Sequence, residues 1–529
     1  MQKTITNKED LHKSIKVGMS EIASIVARTL GPGGLPVLIE RRGQTPSGDP
    51  LGPMITKDGV TVASECANGD PTIDTIIQSV KSICQKTNRV VGDGTTTAIV
   101  LGRAILEGAL EAAKTQNPQQ VRRDIEAASL EVESRLSEIA IECTSDMVEY
   151  IATISANGDK EIGSIIKKAF DAVGSEGAIT VDTGHGKNHS LDIVNGFQIR
   201  RGAEAQDRLL NNSEKTKFET ENCHVILYDG VLNSPQNVLH ALQLLSEHYQ
   251  NKMPPVLFIA NEFSQDVIQM LLMNNSAGLQ SCAVRSPHQT KVTTQWLDDM
   301  AVFLGGTRMG NGNRNLANLE LDDIGIADKV VVEKYVTTLY GGAGLDEAVL
   351  ERIDQLKAQR NQAESEYDSS IISDRLAALA EGIAKIGVGG LTDLEVKEKY
   401  HRIEDAINAA RAAIEGGIVA GGGSTLLRLS ETFTADTVGH KILRKALKAP
   451  FRQILRNLGK EEADIDWIQA RVLEDPAVVY DGELEEVQEA LRAGIIDPVK
   501  VTKTALSNAV SISSLLSTAG GAIVFDRKT

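Results

Sequence analysis

The residues best equipped for chemistry are Gly92-Asp93-Gly94-Thr95-Thr96-Thr97, set directly before an apolar run, Ala98-Ile99-Val100-Leu101. Glycines let a backbone approach a phosphate closely, and the open N–H groups at a helix start favour an anion. Three threonine hydroxyls add donors, and Asp93 suits the magnesium ion that accompanies a nucleotide. Taken alone, the hexapeptide also reads as an Asp-Gly turn followed by a threonine helix cap. It is not a Walker A loop, which ends in Gly-Lys-Ser/Thr. Two further glycine clusters, Thr29-Leu30-Gly31-Pro32-Gly33-Gly34 and Ala420-Gly421-Gly422-Gly423, each follow a helical pattern and read individually as helix caps. Ile55-Thr56-Lys57-Asp58-Gly59-Val60 reads as strand, turn and strand, with a cation and a carboxylate at the turn.

The elements that must position these residues follow from periodicity. Ile15, Met19, Ile22, Ile25 and Val26 form a helical stripe from about Lys8 to Leu30, stopped by Gly31-Pro32-Gly33-Gly34. Val37–Ile39 is a short strand, and Arg41–Pro53 an exposed loop. Helices are predicted over about 73–90, 97–114 and 118–141. Residues 177–197 look strand-like, and Val225–Tyr228 and Val256–Ile259 look like buried parallel strands, each followed by a helix, about 235–249 and 264–274. A charged helical stretch covers about 346–380, and the chain from Leu394 on is mostly helical. A helical beginning, an α/β middle and a helical end suggest one domain inserted in another.

Composition narrows the function. With 529 residues, several domains are expected rather than one. The net charge of −17 disfavours a nucleic-acid partner, and 4% aromatic residues leave little for base stacking. Five cysteines without a CxxC pair suggest a reducing cytosol. No run of about 18 apolar residues suggests a membrane span. His185 and His189 lie in a polar loop and make a poor metal pair, and the acidic cluster Glu483, Glu485, Glu486 and Glu489 reads as a solvated helix face.

Together, Thr29–Gly34, Ile55–Val60, Gly92–Thr97, Arg402-Ile403-Glu404-Asp405-Ala406, Ala420–Gly423 and Gly494-Ile495-Ile496-Asp497-Pro498 resemble, in order and spacing, the group I chaperonins of the GroEL type. Thr153–Asn157 and Val499–Thr502 extend the resemblance over nearly the whole chain. It implies a mixed α/β multidomain chaperonin fold. A helical equatorial ATPase domain would span 1–138 and 416–529, a small intermediate domain 139–195 and 383–415, and an α/β apical domain 196–382. Gly196 and Gly382 match hinge glycines.

The resemblance also implies a cytoplasmic, magnesium-dependent ATP hydrolase that captures unfolded proteins and promotes their folding inside a homo-oligomeric, sevenfold ring, with a co-chaperonin as a further partner. Thr29, Leu30, Gly31 and Pro32 would follow the phosphates and sugar, Asp93 would hold magnesium, and Gly94, Thr95, Thr96 and Thr97 would cradle phosphate. Lys57 would lie beside the phosphates, Asp58 near the γ-phosphate, and Asp405 would orient the attacking water. Gly422 and Asp497 would meet the ribose, with Asp481, Gly482 and Ile495 near the adenine. Leu239, Leu242, Ile268, Leu272 and Met273 would form the client groove.

The sequence departs from the family in several places. Ala203-Glu204-Ala205-Gln206-Asp207-Arg208 replaces an aromatic-containing segment, Gly33 a usual Lys, and Asp481 an Asn of the best-known member. The chain ends in Phe525-Asp526-Arg527-Lys528-Thr529 rather than a Gly-Gly-Met tail. Arg452 and Glu461 match a ring-to-ring surface, whereas Ala463-Asp464 does not. These differences mark a divergent member, compatible with a phage-encoded one. They also leave open a second reading, a nucleotide-dependent ring scaffold without general refolding activity. A small-molecule kinase using Gly92–Thr97 would leave the other matched segments unexplained.

Overall fold

The computed structural model describes residues 3–40, 53–174, 177–184, 186–204, 208–212, 216–250, 252–287, 291–310, 315–362, 365–380, 382–433 and 437–525. His185, Ala205, Gln206, Asp207, residues 41–52 of the expected loop and Asp526–Thr529 lie outside the described residues. The chain divides into two compact units. Unit 1 comprises Met1–Lys168, Thr183–His189 and Val388–Thr529, and unit 2 comprises Ala169–Asp182 and Ser190–Gly387.

Unit 1 is helical. Its helices begin where short polar side chains can satisfy the open N–H groups of a first turn. Asn7 caps Lys8–Val26, Asp70 caps Pro71–Val91 and Asn117 caps Pro118–Glu138, the last two with proline at the first helical position. The central Thr95–Ala112 helix buries Ile99, Leu101, Ile105 and Leu106. The late Val499–Ser517 helix packs against it and against Pro71–Val91 and Pro118–Glu138. Small residues allow that approach: Ala505 and Ala509 are fully buried, and Ser513 Oγ donates to the Gly102 carbonyl at 2.8 Å. Lys3–Thr6 pairs antiparallel with Ala522–Phe525.

Unit 2 is built on a seven-stranded mixed sheet. Its order runs Gly196–Ile199, Thr337–Gly342, Gly325–Val332, Phe218–Leu232, Val256–Phe263 and Ser281–Arg285, with Met309–Gly310 also beside Phe218–Leu232. The Phe218–Leu232, Val256–Phe263 and Ser281–Arg285 strands pair in parallel, joined through helices Pro235–His248 and Gln265–Ser276. The run Val225-Ile226-Leu227 is buried throughout, as strands covered on both faces require. The sequence-predicted βα units are therefore present. Gly382 adopts φ 67°, a left-handed conformation that suits glycine. Gly196 sits inside a strand, where an added Cβ would lie 2.9 Å from Ile383 Cγ1, so close packing alone demands glycine there.

Three local expectations need correction. Ile55–Val60 is not a hairpin: strand Met54–Thr56 leads into helix Gly59–Glu65, because the Asp58 carboxylate accepts from Val60 N–H at 3.2 Å and Thr61 N–H at 2.9 Å. Gly421–Gly423 does not close the preceding helix, which ends at Gly416 and is capped by Gly417; it follows strand Ile418–Ala420, and Gly423 opens the next helix at φ 74°. The acidic residues Glu483, Glu485, Glu486 and Glu489 are solvent-exposed but on a hairpin, Val478–Asp481 with Glu486–Glu489, rather than on a helix. Asp481 Oδ1 turns the chain there by accepting from the Glu483 and Leu484 amides at 2.8 and 3.1 Å.

Candidate functional site

Within unit 1 the separated motifs converge. Gly94, at φ 77°, is the residue from which the Thr95–Ala112 helix starts, so no threonine caps it. The first intrahelical bond is Ala98 N–H to Gly94 O, which leaves the Thr95, Thr96 and Thr97 amides in the first turn, where an anion is favoured. Thr96 Oγ1 lies 3.3 Å from Thr29 Oγ1, joining the first glycine cluster to this helix start. A Cβ at Gly59 would sit 2.8 Å from Thr95 Oγ1, so only glycine lets the Asp58 turn lie against the same threonines.

Asp93 is oriented from two sides: Gly94 N–H donates to Oδ1 at 2.5 Å and Ser155 Oγ donates to Oδ2 at 2.9 Å. Asp405 comes from the long Asp393–Gly416 helix, and one turn on, Asn408 packs against Gly92. Each of Asp58, Asp93, Asp405 and Asp497 keeps a partly accessible edge. Protein nonetheless crowds three of them enough to disfavour their charge. Burial pushes Asp405 well above the usual carboxylate range, with repulsion from Asp58 and Asp93 adding to it. Burial also raises Asp93, against the opposing bonds from Gly94 and Ser155 and with help from Asp58. Asp497 is pushed up to about 7, by burial first and the Asp93 charge second. Such a cluster calls for a cation to relieve it.

Lys57 is held below its ordinary pKa by burial and by the neighbouring Arg402 guanidinium. Arg402 in turn pairs with Glu398 and lies 3.6 Å from Asp159. On the other side, Val419 pairs with Asp497 across a two-stranded ladder, which brings Gly421–Gly423 to the aspartate. A Cβ at Gly421 would be 3.0 Å from Asp497 Oδ1, and one at Gly422 would be 3.7 Å from Ile495 Cγ2. Pro32 meets Gly482, where a Cβ would lie 2.9 Å from Pro32 Cγ. Every expected nucleotide-site residue thus belongs to unit 1, and direct contacts join some of them in three patches: Thr29–Thr95–Thr96–Asp58, Gly422–Ile495–Asp497 and Pro32–Gly482. Asp481 flanks the third patch, but its Oδ1 is engaged in its own turn. Ser155 was missed as a site residue; the Thr153–Asn157 match marked its segment, but nothing local tied it to Asp93.

The expected client residues divide. Leu239 and Met273 are 44% and 74% exposed on the Pro235–His248 and Gln265–Ser276 helices. Ile268 and Leu272 are half-buried against the unit 2 core. Leu242 requires correction: it is only 5% exposed and packs into that core, because its helix turns the Val238, Ala241, Leu242 and Leu245 stripe to the sheet. In the divergent segment, Ala203 is buried, Glu204 N–H donates to Ala283 O at 2.8 Å, and the Glu204 carboxylate pairs with Arg285 at 2.9 Å. Arg452, expected at a ring-to-ring surface, is engaged within its own chain by Glu462 and Asp466, both at 2.6 Å.

One consequence concerns stability without ligand. The folded-state pKa of Asp497 lies above the roughly 3.9 of an unfolded aspartate, so its contribution is fully present below pH ~4 and is lost as pH rises through about 7. Asp497→Asn has no such loss. Its thermal midpoint should therefore gain on the parent's from pH 5 to pH 8; parallel profiles would remove Asp497 as the cause.

Residues 22–518 match the TCP-1/cpn60 chaperonin family. In fold, the chain is similar to the chaperonin gp146 from the bacteriophage EL 2 (Pseudomonas aeruginosa), crystallised in the presence of ATP-BeFx. In crystal form II the TM-score is 0.76, with 21% identity over 99% of each chain. In crystal form I it is 0.66, with the same identity and coverage. Among the described residues, no helix is long and apolar enough to cross a membrane.

Proposed function

Because the chain belongs to the TCP-1/cpn60 chaperonin family, we propose that it is a cytoplasmic ATP hydrolase that uses nucleotide turnover to capture unfolded proteins and promote their folding within an oligomeric ring of its own copies. The observation that carries this reading is the meeting of Asp58, Asp93 and Asp405 with the Thr95–Thr97 helix start. The chain's own residues would divide the work. The Thr95–Thr97 amides and hydroxyls, with Thr29 and Gly94, receive phosphate oxygens, and Leu30, Gly31 and Pro32 follow the chain of phosphates and sugar. Lys57 lies beside the phosphates. Gly422 admits the ribose closely, Asp497 accepts a ribose hydroxyl, and Gly482, Ile495 and Asp481 flank the base. Asp405 orients the attacking water and accepts its proton. An elevated pKa makes an ionised Asp405 a stronger base than a solvated carboxylate. Asp58 holds the turn against the threonines and adds negative charge beside the water.

Magnesium fits Asp93 in a specific way. Among the described residues, no three His, Cys, Asp or Glu side chains meet closely enough to hold a metal unaided. Magnesium commonly takes one or two carboxylates and completes its shell with phosphate oxygens and water. When bound, it would neutralise phosphate charge and offset the repulsion among the aspartates.

The three-part division into equatorial, intermediate and apical domains, with hinges at Gly196 and Gly382, belongs to the same proposal, as does a co-chaperonin at the client groove. Sevenfold symmetry is proposed for the ring, and electron micrographs with and without ATP test it; a monomer under both conditions would overturn the ring.

Client capture rests on Leu239 and Met273, the two exposed members of the expected set. Leu239→Ser with Met273→Ser should reduce capture of a chemically unfolded protein at least about tenfold, since each apolar side chain buried is worth ~1.5–3 kcal/mol. ATP turnover without client should stay within about twofold. Undiminished capture would place the client surface elsewhere. The burial of Ala203 and the pairing of Glu204 with Arg285 favour one alternative, a ring scaffold with little apolar surface for general clients. A parent that forms rings with ATP yet suppresses no aggregation would establish that alternative.

A further inference from the structure

The nucleotide site has two walls that come from distant parts of the chain, Leu30–Gly34 and the Asp481–Gly482 turn. Both meet one element, the Ala449–Asn457 helix and the residues that follow it. Asn457 Nδ2 donates to Ala27 O and to Leu30 O, each at 2.8 Å. Its Oδ1 accepts from Gln453 Nε2 at 2.8 Å, which fixes the amide with its donors toward the loop. On the same helix, Ile454 lies beneath Gly31, where a Cβ would be 3.1 Å away, and a Cβ at Gly33 would lie 2.7 Å from Asn457 O. The first wall therefore rests on this helix end at Leu30, Gly31 and Gly33.

The second wall is held from the same place. Leu458 reaches Gly482, where a Cβ would lie 2.8 Å from its Cδ1 and 2.9 Å from Pro32 Cγ. Lys460 Nζ pairs with Glu485 Oε2 at 2.8 Å, across the turn that Asp481 closes. The far side of the hairpin is pinned by Arg428, whose Nη2 donates to Asp475 O at 3.0 Å and also to Val478 O.

We propose that the Asn457–Lys460 turn is a clamp that joins the two walls of the nucleotide pocket, with Asn457 as the positioning residue that sets ATP affinity. Asn457 holds the wall rather than the ligand: its amide satisfies the Leu30 carbonyl and keeps the loop ordered before nucleotide arrives. Removing the tether transfers the ordering cost to binding, which weakens affinity without touching the hydrolytic carboxylates. This inference rests on the reading of unit 1 as an ATP site.

The test is steady-state ATP hydrolysis and equilibrium ADP binding by the full chain and by Asn457→Ala and Asn457→Asp. The aspartate keeps the size but turns donors into acceptors facing two carbonyl oxygens. Both variants should raise the ATP KM and the ADP Kd about tenfold, with kcat within about twofold of the parent. Hydrogen exchange of the parent gives a second measurement that needs no variant. The Gly34 and Leu35 amides, which donate to Gly31 O and Arg28 O, should be protected without nucleotide as they are with it. Unchanged KM and Kd, a loss confined to kcat, or a loop that exchanges freely until nucleotide is added would each overturn the clamp. A parent that binds no ATP or ADP would overturn the nucleotide-site reading itself, and the clamp with it.

Discussion

Asp405→Ala should bind ATP with nearly the parent's affinity and turn it over at least about 100-fold more slowly. Losing one positioned group that acts only in the transition state typically costs that much. The asymmetry between binding and turnover has a structural basis. The proposed phosphate contacts come from Thr29, Gly94 and the Thr95–Ala112 helix start, none of which is on the Asp393–Gly416 helix that carries Asp405. That helix packs on Gly92 through Asn408, which the substitution leaves in place. Removing this carboxylate also relieves repulsion toward Asp58 and Asp93, so affinity has no reason to fall. Single-turnover hydrolysis beside equilibrium nucleotide binding separates the two quantities. Turnover at the parent's rate would take Asp405 out of the reaction.

Asp93→Ala should show the complementary defect. Nucleotide binding should lose its dependence on magnesium, and turnover should fall to background, because Asp93 is the carboxylate that Gly94 and Ser155 orient, whereas the Asp58 carboxylate is engaged by the Val60 and Thr61 amides. Titrating magnesium against a fixed nucleotide concentration checks this directly. A magnesium dependence equal to the parent's would place the ion elsewhere. Ser155→Ala should give a weaker form of the same defect, as its hydroxyl only orients the ligand oxygen.

Much of this was legible in the sequence, and what was not failed for identifiable reasons. The Lys8–Val26, Pro71–Val91 and Pro118–Glu138 helices carry their own start signals, an asparagine or aspartate cap and in two cases a proline, so they could be read locally. Thr-Lys-Asp-Gly misled because its aspartate can close a turn or cap a helix, and only the Val60 and Thr61 amides decide between them. Leu242 misled because a match to a groove position does not say which side of an amphipathic helix faces the sheet. The convergence of residues 58, 93, 405 and 497 has no local signature at all. Their segments are separated by up to several hundred residues, and only the resemblance of the whole ordered set brought them together. Asn457 and Ser155 act through other residues, so no motif announces them.

The closing of unit 1 by the Val499–Ser517 helix has a consequence for biosynthesis. That helix packs against elements made some four hundred residues earlier, and Ala522–Phe525 pairs with Lys3–Thr6. Unit 2 draws its residues from 169 to 387, so it can fold on the ribosome while unit 1 still waits. The early helices must therefore stay soluble, with Leu101 and Ile105 lacking their late partners Val499, Leu506 and Ala509, until translation has passed them by several hundred codons. Asp497, the proposed ribose partner, emerges near the end of the same interval. A nascent chain cannot form the proposed nucleotide site before then, which ties ligand binding, and any assembly that depends on it, to chains in which residue 497 has already been made.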